Sequence, residues 1–132
     1  MEKLWIEKIK NIFNGYPEIK VAYLFGSRAR GDSSVSSDYD FAVYLEEKDS
    51  SKRFNLRLKL MSDISRIVET DDVDVIVLNQ DDTDHPALKY SVISEGIVMK
   101  EIEPHRLIIE NSILNEYFDF NLDFKKRAKV LN

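Results

Sequence analysis

Three aspartates and one glycine-serine pair are the residues of this chain whose types and spacing could do chemistry together. Gly26-Ser27 follows the apolar run Val21-Ala22-Tyr23-Leu24-Phe25, and ten residues separate Ser27 from Asp38-Tyr39-Asp40. A glycine at such a turn lets backbone come close to a phosphate, while the serine hydroxyl and the N–H groups after it can point at phosphate oxygens. A plain turn with a helix cap would use the same two residues, so the pair says little by itself. Asp38 and Asp40 lie two residues apart, about 6.6 to 6.8 Å along an extended backbone, and leave one face of a strand together. Carboxylates about 5 Å apart repel by roughly 3 kcal/mol at an effective dielectric near ~20, which a divalent cation offsets. Magnesium suits them, because it takes carboxylate oxygens while keeping phosphate and water ligands. Without the Gly-Ser turn, a solvated loop end and a water-facing strand residue would explain the two acids equally well.

Asp74 lies within Val73-Asp74-Val75-Ile76-Val77-Leu78, where every neighbour is apolar. A carboxylate buried in such a run is expensive unless it is paired or metal-bound, which makes Asp74 the third candidate ligand. It can join Asp38 and Asp40 if the strands that carry them are neighbours. Arg28 and Arg30 could add positive charge for phosphates, Arg28 ranking first because it follows Ser27, although a solvated arginine is an equal reading of each. His85 and His105 are lone histidines with no partner in local spacing and are assigned no catalytic role.

The elements that must position these groups follow from periodicity and punctuation. Leu4, Trp5, Ile6, Ile9, Ile12 and Phe13 predict an amphipathic helix ended near Asn14-Gly15, and Val21 to Phe25 predicts a buried strand. Ser27 to Gly31 reads as a short capped turn, and 32–37 as a polar loop. In the strand from Asp38 to Leu45, Tyr39, Phe41, Val43 and Leu45 form the core face. Phe54, Leu58, Met61, Ile64 and Val68 predict a second helix with those residues inward, followed by a strand at 73–78. An acidic loop with Asp81, Asp82 and Asp84 leads to a helix from Pro86 to Glu95, with Gly96 as its C-terminal cap and Ile97 to Met99 as a strand. From Pro104 a long helix runs to about residue 130, with a basic end at Lys125 to Arg127 and with Tyr117, Phe118, Phe120 and Phe124 more often core than interface, although a face this wide leaves a protein partner covering part of it as the lesser reading. The order implies one domain over 1–132, an α/β (α+β) chain with a small mixed sheet flanked by helices.

Composition narrows the function. With 43% hydrophobic and 33% charged residues the chain can bury one core and carries no signal of disorder. Cysteine is absent, so thiolate metal sites and disulfides are excluded, in keeping with a cytoplasmic location. No apolar stretch is long enough to span a bilayer. The balance of 19 basic against 24 acidic side chains, net −5, argues against long nucleic acid as a partner. A mononucleotide remains compatible, because a metal ion and a few local cations can neutralise a triphosphate.

Gly26-Ser27-Arg28-Ala29-Arg30-Gly31, Ser37-Asp38-Tyr39-Asp40 and Val73-Asp74-Val75 together resemble the signature of the minimal nucleotidyltransferase (MNT) proteins of the DNA polymerase beta superfamily, over about residues 20–100. The resemblance implies that Gly26 and Ser27 hold nucleotide phosphates, that Asp38 and Asp40 bind two magnesium ions, and that Asp74 ligates the one that activates the attacking hydroxyl. Proteins of this kind are commonly encoded beside a HEPN-domain ribonuclease toxin, act as its antitoxin, and in some systems attach AMP to a toxin tyrosine. The resemblance therefore implies ATP as donor and a HEPN-toxin tyrosine as acceptor. A chain of this length has no room for the acceptor-gripping second domain of larger relatives. Two other readings stay open: an antitoxin that only masks its toxin, and a nucleotidyltransferase acting on a small molecule.

Overall fold

In the computed structural model, residues 2–34, 37–79 and 85–131 are described, those at 2–3 and 123–131 without their side chains. They form nine elements in chain order: α1 (Glu2–Asn14), β1 (Ile19–Phe25), α2 (Ser27–Arg30), β2 (Tyr39–Leu45), α3 (Ser50–Val68), β3 (Val73–Val77), α4 (Pro86–Glu95), β4 (Ile97–Glu101) and α5 (His105–Leu131). The acidic tract at Asp81, Asp82 and Asp84 lies outside the described residues, as do the side chains of Phe124 and Lys125 to Arg127.

The four strands make one mixed sheet in the order β3-β2-β1-β4. β1 is antiparallel to both β2 and β4, whereas β2 and β3 run parallel and are joined by the crossover helix α3. The adjacency on which a shared acidic site depends is thus present, with Asp40 directly opposite Asp74.

Both faces of the sheet are covered. Phe41, Val43, Leu45, Val73, Val75 and Val77 pack with Ile9 and Phe13 of α1 and Leu60 and Ile64 of α3. Val21, Tyr23 and Ala42 face the other way, against Val92 of α4 and Ile109 and Ile113 of α5. The predicted core face of β2 is correct, but Ala42 opposite it is equally buried, so the sheet has two apolar sides.

The helices depart from simple hydrophobic patterning. On α3, Met61, Ile64 and Val68 pack on the core as apolar spacing predicts, but Phe54 and Leu58 are exposed, and Arg53 and Leu60 are buried in the inward stripe instead. Arg53 can lie there because its Nη1 donates to the carbonyls of Glu47 and Lys48, at 2.7 and 3.0 Å. On α5, Phe118 and Phe120 are exposed rather than in the core. Tyr117 stacks on Tyr90 of α4 at 4.1 Å, and Ile109 and Ile113, in the first half of the helix, pack in the core against the sheet. Gly96 does end α4, but in extended conformation at φ −72°; a Cβ there would collide with the Val92 carbonyl oxygen, so close packing selects the glycine. No described helix is long and apolar enough to cross a membrane.

Candidate active site

The end of β1 and the starts of β2 and β3 meet at one lip of the sheet, where Phe25 pairs with Asp40 and Asp40 with Asp74. Gly26 leaves β1 at φ 76°, ψ −158°, a conformation open essentially to glycine alone. A Cβ at this position would stand 2.6 Å from Asp40 Oδ2, so the turn lies directly against that carboxylate. The chain then winds into α2: the Gly26 carbonyl accepts from the N–H groups of Ala29 and Arg30 at 3.1 and 3.2 Å. Gly31 closes the turn at φ 82°, its N–H donating to the Ser27 carbonyl at 3.0 Å. Four residues thus return the chain toward β2, with Ser27 following directly on the glycine that abuts Asp40.

The two arginines of the turn have different employment. Arg28 Nη2 donates to the carbonyls of Ser37 and Ser34, at 2.9 and 3.4 Å, and its guanidinium lies 3.7 Å from the Tyr39 ring centroid. It fastens the loop that delivers Asp38 and Asp40. Arg30 is more open, pairing with Asp32 at 3.4 Å and with Glu95 at the end of α4 at 3.7 Å. Its charge is also the one that lowers the proton affinity of Asp40.

Electrostatics separate the aspartates. Burial raises the Asp40 pKa first, and the negative charges of Asp38 and then Asp74 raise it further. The three acids therefore share one electrostatic neighbourhood. Asp38, just before β2, is exposed. Asp74 is not the buried carboxylate that its apolar run suggests: its side chain is 50% exposed, because β3 is the edge strand and Val73 and Val75 turn to the opposite face. It is paired, however, with Arg57 of α3, whose Nη2 lies 3.2 Å from Asp74 Oδ1 and whose Nε donates to the Val75 carbonyl.

Arg57 is the site residue that sequence reasoning misses. It lies 17 positions from Asp74, on a helix face that apolar spacing assigns to solvent. The available signal was Arg53, Arg57, Leu60 and Ile64 at i, i+4, i+7 and i+11, an inward stripe with two arginines in it. Neither histidine comes near the acids by any contact observed: His85 caps α4 without a side-chain bond, and His105 Nε2 pairs with Glu46 at 2.9 Å.

Among the described residues, no three acidic or histidine side chains stand close enough to enclose a cation by themselves. The donor chemistry nevertheless fits magnesium. Asp40 already feels an excess of negative charge from Asp38 and Asp74, all the donors are hard oxygens, and magnesium fills much of its octahedron with water and phosphate. A lip of carboxylates beside a phosphate-sized turn suits that division of ligands better than a closed cage.

Over residues 7–105 the sequence matches the family model of polymerase beta, nucleotidyltransferase. No curated protein matches it by sequence. Among solved structures, it is similar to a chain of a toxin–antitoxin complex with AMP-PNP, at 19% identity and a TM-score of 0.73, covering 99% of this chain and 98% of that one. A tri-AMPylated Shewanella oneidensis HEPN toxin in complex with MNT antitoxin contains another similar chain, at 19% identity, TM-score 0.71 and the same coverages of 99% and 98%. The toxin–antitoxin MntA-HepT supplies a third, at 18% identity, TM-score 0.70 and coverages of 98% and 97%. At these identities the likeness is one of fold.

Proposed function

The chain belongs to the polymerase beta nucleotidyltransferase family, and on that premise we propose that it transfers AMP from ATP to a tyrosine hydroxyl of a partner HEPN-domain toxin and so acts as its antitoxin. The observation that carries this reading is the meeting of Gly26, Asp40 and Asp74 at one lip of the sheet, glycine against carboxylate and carboxylate opposite carboxylate. One structurally similar chain comes from a complex of tri-AMPylated HEPN toxin with MNT antitoxin, which supports both the partner and the group transferred.

In this reading Gly26 admits the triphosphate close to the backbone and Ser27 offers its hydroxyl to a phosphate oxygen. Arg30, the less tightly held arginine, adds charge toward the phosphates. Asp38, Asp40 and Asp74 would hold two magnesium ions, which when bound acidify the acceptor hydroxyl and neutralise the departing pyrophosphate. The tyrosine oxygen forms a bond to the α-phosphorus, the bond from that phosphorus to the bridging oxygen of pyrophosphate breaks, and Asp74 accepts the hydroxyl proton. Arg28 keeps the loop to β2 in place throughout.

Where a HEPN-domain protein is encoded beside it, incubation with that protein, magnesium and ATP labelled in the α-phosphate tests this. Label should appear on the partner and vanish with Asp38→Asn, Asp40→Asn. A second reading, neutralisation by masking, is favoured by the exposed Phe118, Phe120 and Leu122 on α5. Undiminished neutralisation by the unlabelling variant would support masking, and label on a metabolite with no partner present would support small-molecule transfer.

A further inference from the structure

We infer that Arg57 is the positioning residue of the third aspartate: by holding both the β3 backbone and Asp74 Oδ1, it turns Asp74 Oδ2 toward the acids on β2. β3 is the edge of the sheet, so among the described residues its outward backbone groups have no strand partner. α3 packs beside it, and Arg57 reaches over that edge. Its Nε donates to the Val75 carbonyl and its Nη2 to Asp74 Oδ1 at 3.2 Å. A guanidinium is a rigid planar fork, so two donors anchored on successive residues of one strand fix the rotation of the carboxylate as well as its location. One oxygen of Asp74 is thereby committed, and the other remains for an ion or an acceptor proton.

Two other arginines of α3 show that this placement is particular. Arg53, one turn earlier, gives its guanidinium to the carbonyls of Glu47 and Lys48. Arg66 pairs with Asp63 on the open surface, its side chain 76% exposed. Of the three, Arg57 alone ends on a candidate ligand. Ligating carboxylates are ordinarily held by such outer hydrogen bonds, whose loss costs about 10- to 100-fold in metal affinity or activity.

The kinetic part of the inference rests on the adenylyl-transfer reading; the metal-binding part does not. Mn2+ titration followed by electron paramagnetic resonance is therefore run on the full chain as wild type, Arg57→Gln, Arg57→Lys and Asp74→Asn. Arg57→Gln should weaken Mn2+ about 10-fold or more, approaching Asp74→Asn, and should lower kcat for transfer about 10- to 100-fold. KM for ATP should move by no more than about twofold, because the phosphate turn is untouched. Arg57→Lys keeps the charge without the fork and should behave like Arg57→Gln. Mn2+ binding by Arg57→Gln at or above wild-type affinity overturns the inference, since Arg57 then only screens Asp74 or covers the edge. Wild-type behaviour of Arg57→Lys overturns it too. If Asp38→Asn, Asp40→Asn still labels the partner, the transfer reading falls, while the Mn2+ comparison decides the role of Arg57 independently.

Discussion

Asp40 and Asp74 sit opposite each other in register, yet they occupy different regions of the sheet. Asp40 starts an interior strand, partly buried against Gly26 and pressed by two neighbouring negative charges. Asp74 starts an edge strand, half open to water and met by a guanidinium. A central strand places a carboxylate rigidly and leaves it only partly offset by the charge of Arg30, whereas an edge strand exposes it to a side chain arriving from outside the sheet. The same carboxylate chemistry is thus destabilising in one place and mildly stabilising in the other.

Replacing each acid by its amide tests that difference most strongly. Asp40→Asn and Asp74→Asn should each reduce transfer by about a thousandfold, the value of several kcal/mol of charge stabilisation at about 1.36 kcal/mol per decade. Their effects on folding should diverge. In EDTA, Asp40→Asn should raise the thermal midpoint, because it removes a partly buried charge repelled by Asp38 and Asp74. Asp74→Asn should lower it slightly, corresponding to a loss of less than about 1 kcal/mol of stability, because an exposed pair with Arg57 is lost. Midpoints moving in the same direction would dissolve the contrast.

This contrast was only half legible in the sequence. The order of elements follows from apolar runs and breakers, and the Gly-Ser turn, the paired acids and the third aspartate were all visible as types at spacings. Which strands border water was not visible. Val73-Asp74-Val75 looks buried in one dimension, but alternation on an edge strand turns its middle residue outward. Arg53 and Arg57 were hidden for the complementary reason: hydrophobic periodicity assigns every arginine to solvent, whereas these two face inward to satisfy carbonyls and a carboxylate. The exposed aromatics of α5 escaped because periodicity shows which residues share a face, not whether anything covers that face.

Gly26 offers a narrower way to break the comparison, since it touches Asp40 and not the edge. Gly26→Ala places a methyl group 2.6 Å from Asp40 Oδ2 in a conformation alanine avoids. It should lose about 1–3 kcal/mol by denaturant titration, and about 100-fold in transfer if the carboxylate shifts by about 1 Å. Gly31→Ala is the control: φ is also positive, at 82°, but nothing lies within 4 Å of a Cβ there. It should cost about 1–2 kcal/mol with little change in transfer. Equal losses of activity would mean that the turn's conformation matters and its contact with Asp40 does not.

The smallest effect is on the pH dependence of stability, and its sign is informative. The native pKa of Asp40 is raised from the ordinary aspartate value, chiefly through burial and then through Asp38 and Asp74. Between the unfolded and native pKa the unfolded chain has released this proton while the folded chain retains it, so stability falls as pH rises through that window and is level above it. Denaturant titrations in EDTA should therefore show wild type and Asp40→Asn converging at the acid end and separating as pH rises. Asp38→Asn should flatten that pH dependence more than Asp74→Asn, because Asp38 is the stronger of the two neighbouring charges acting on Asp40. Added Mg2+ should close the gap from the other side by stabilising the ionised carboxylate in the folded chain. A gap independent of pH would mean that Asp40→Asn acts through packing against Gly26, leaving the interior and edge aspartates distinguished by shape alone.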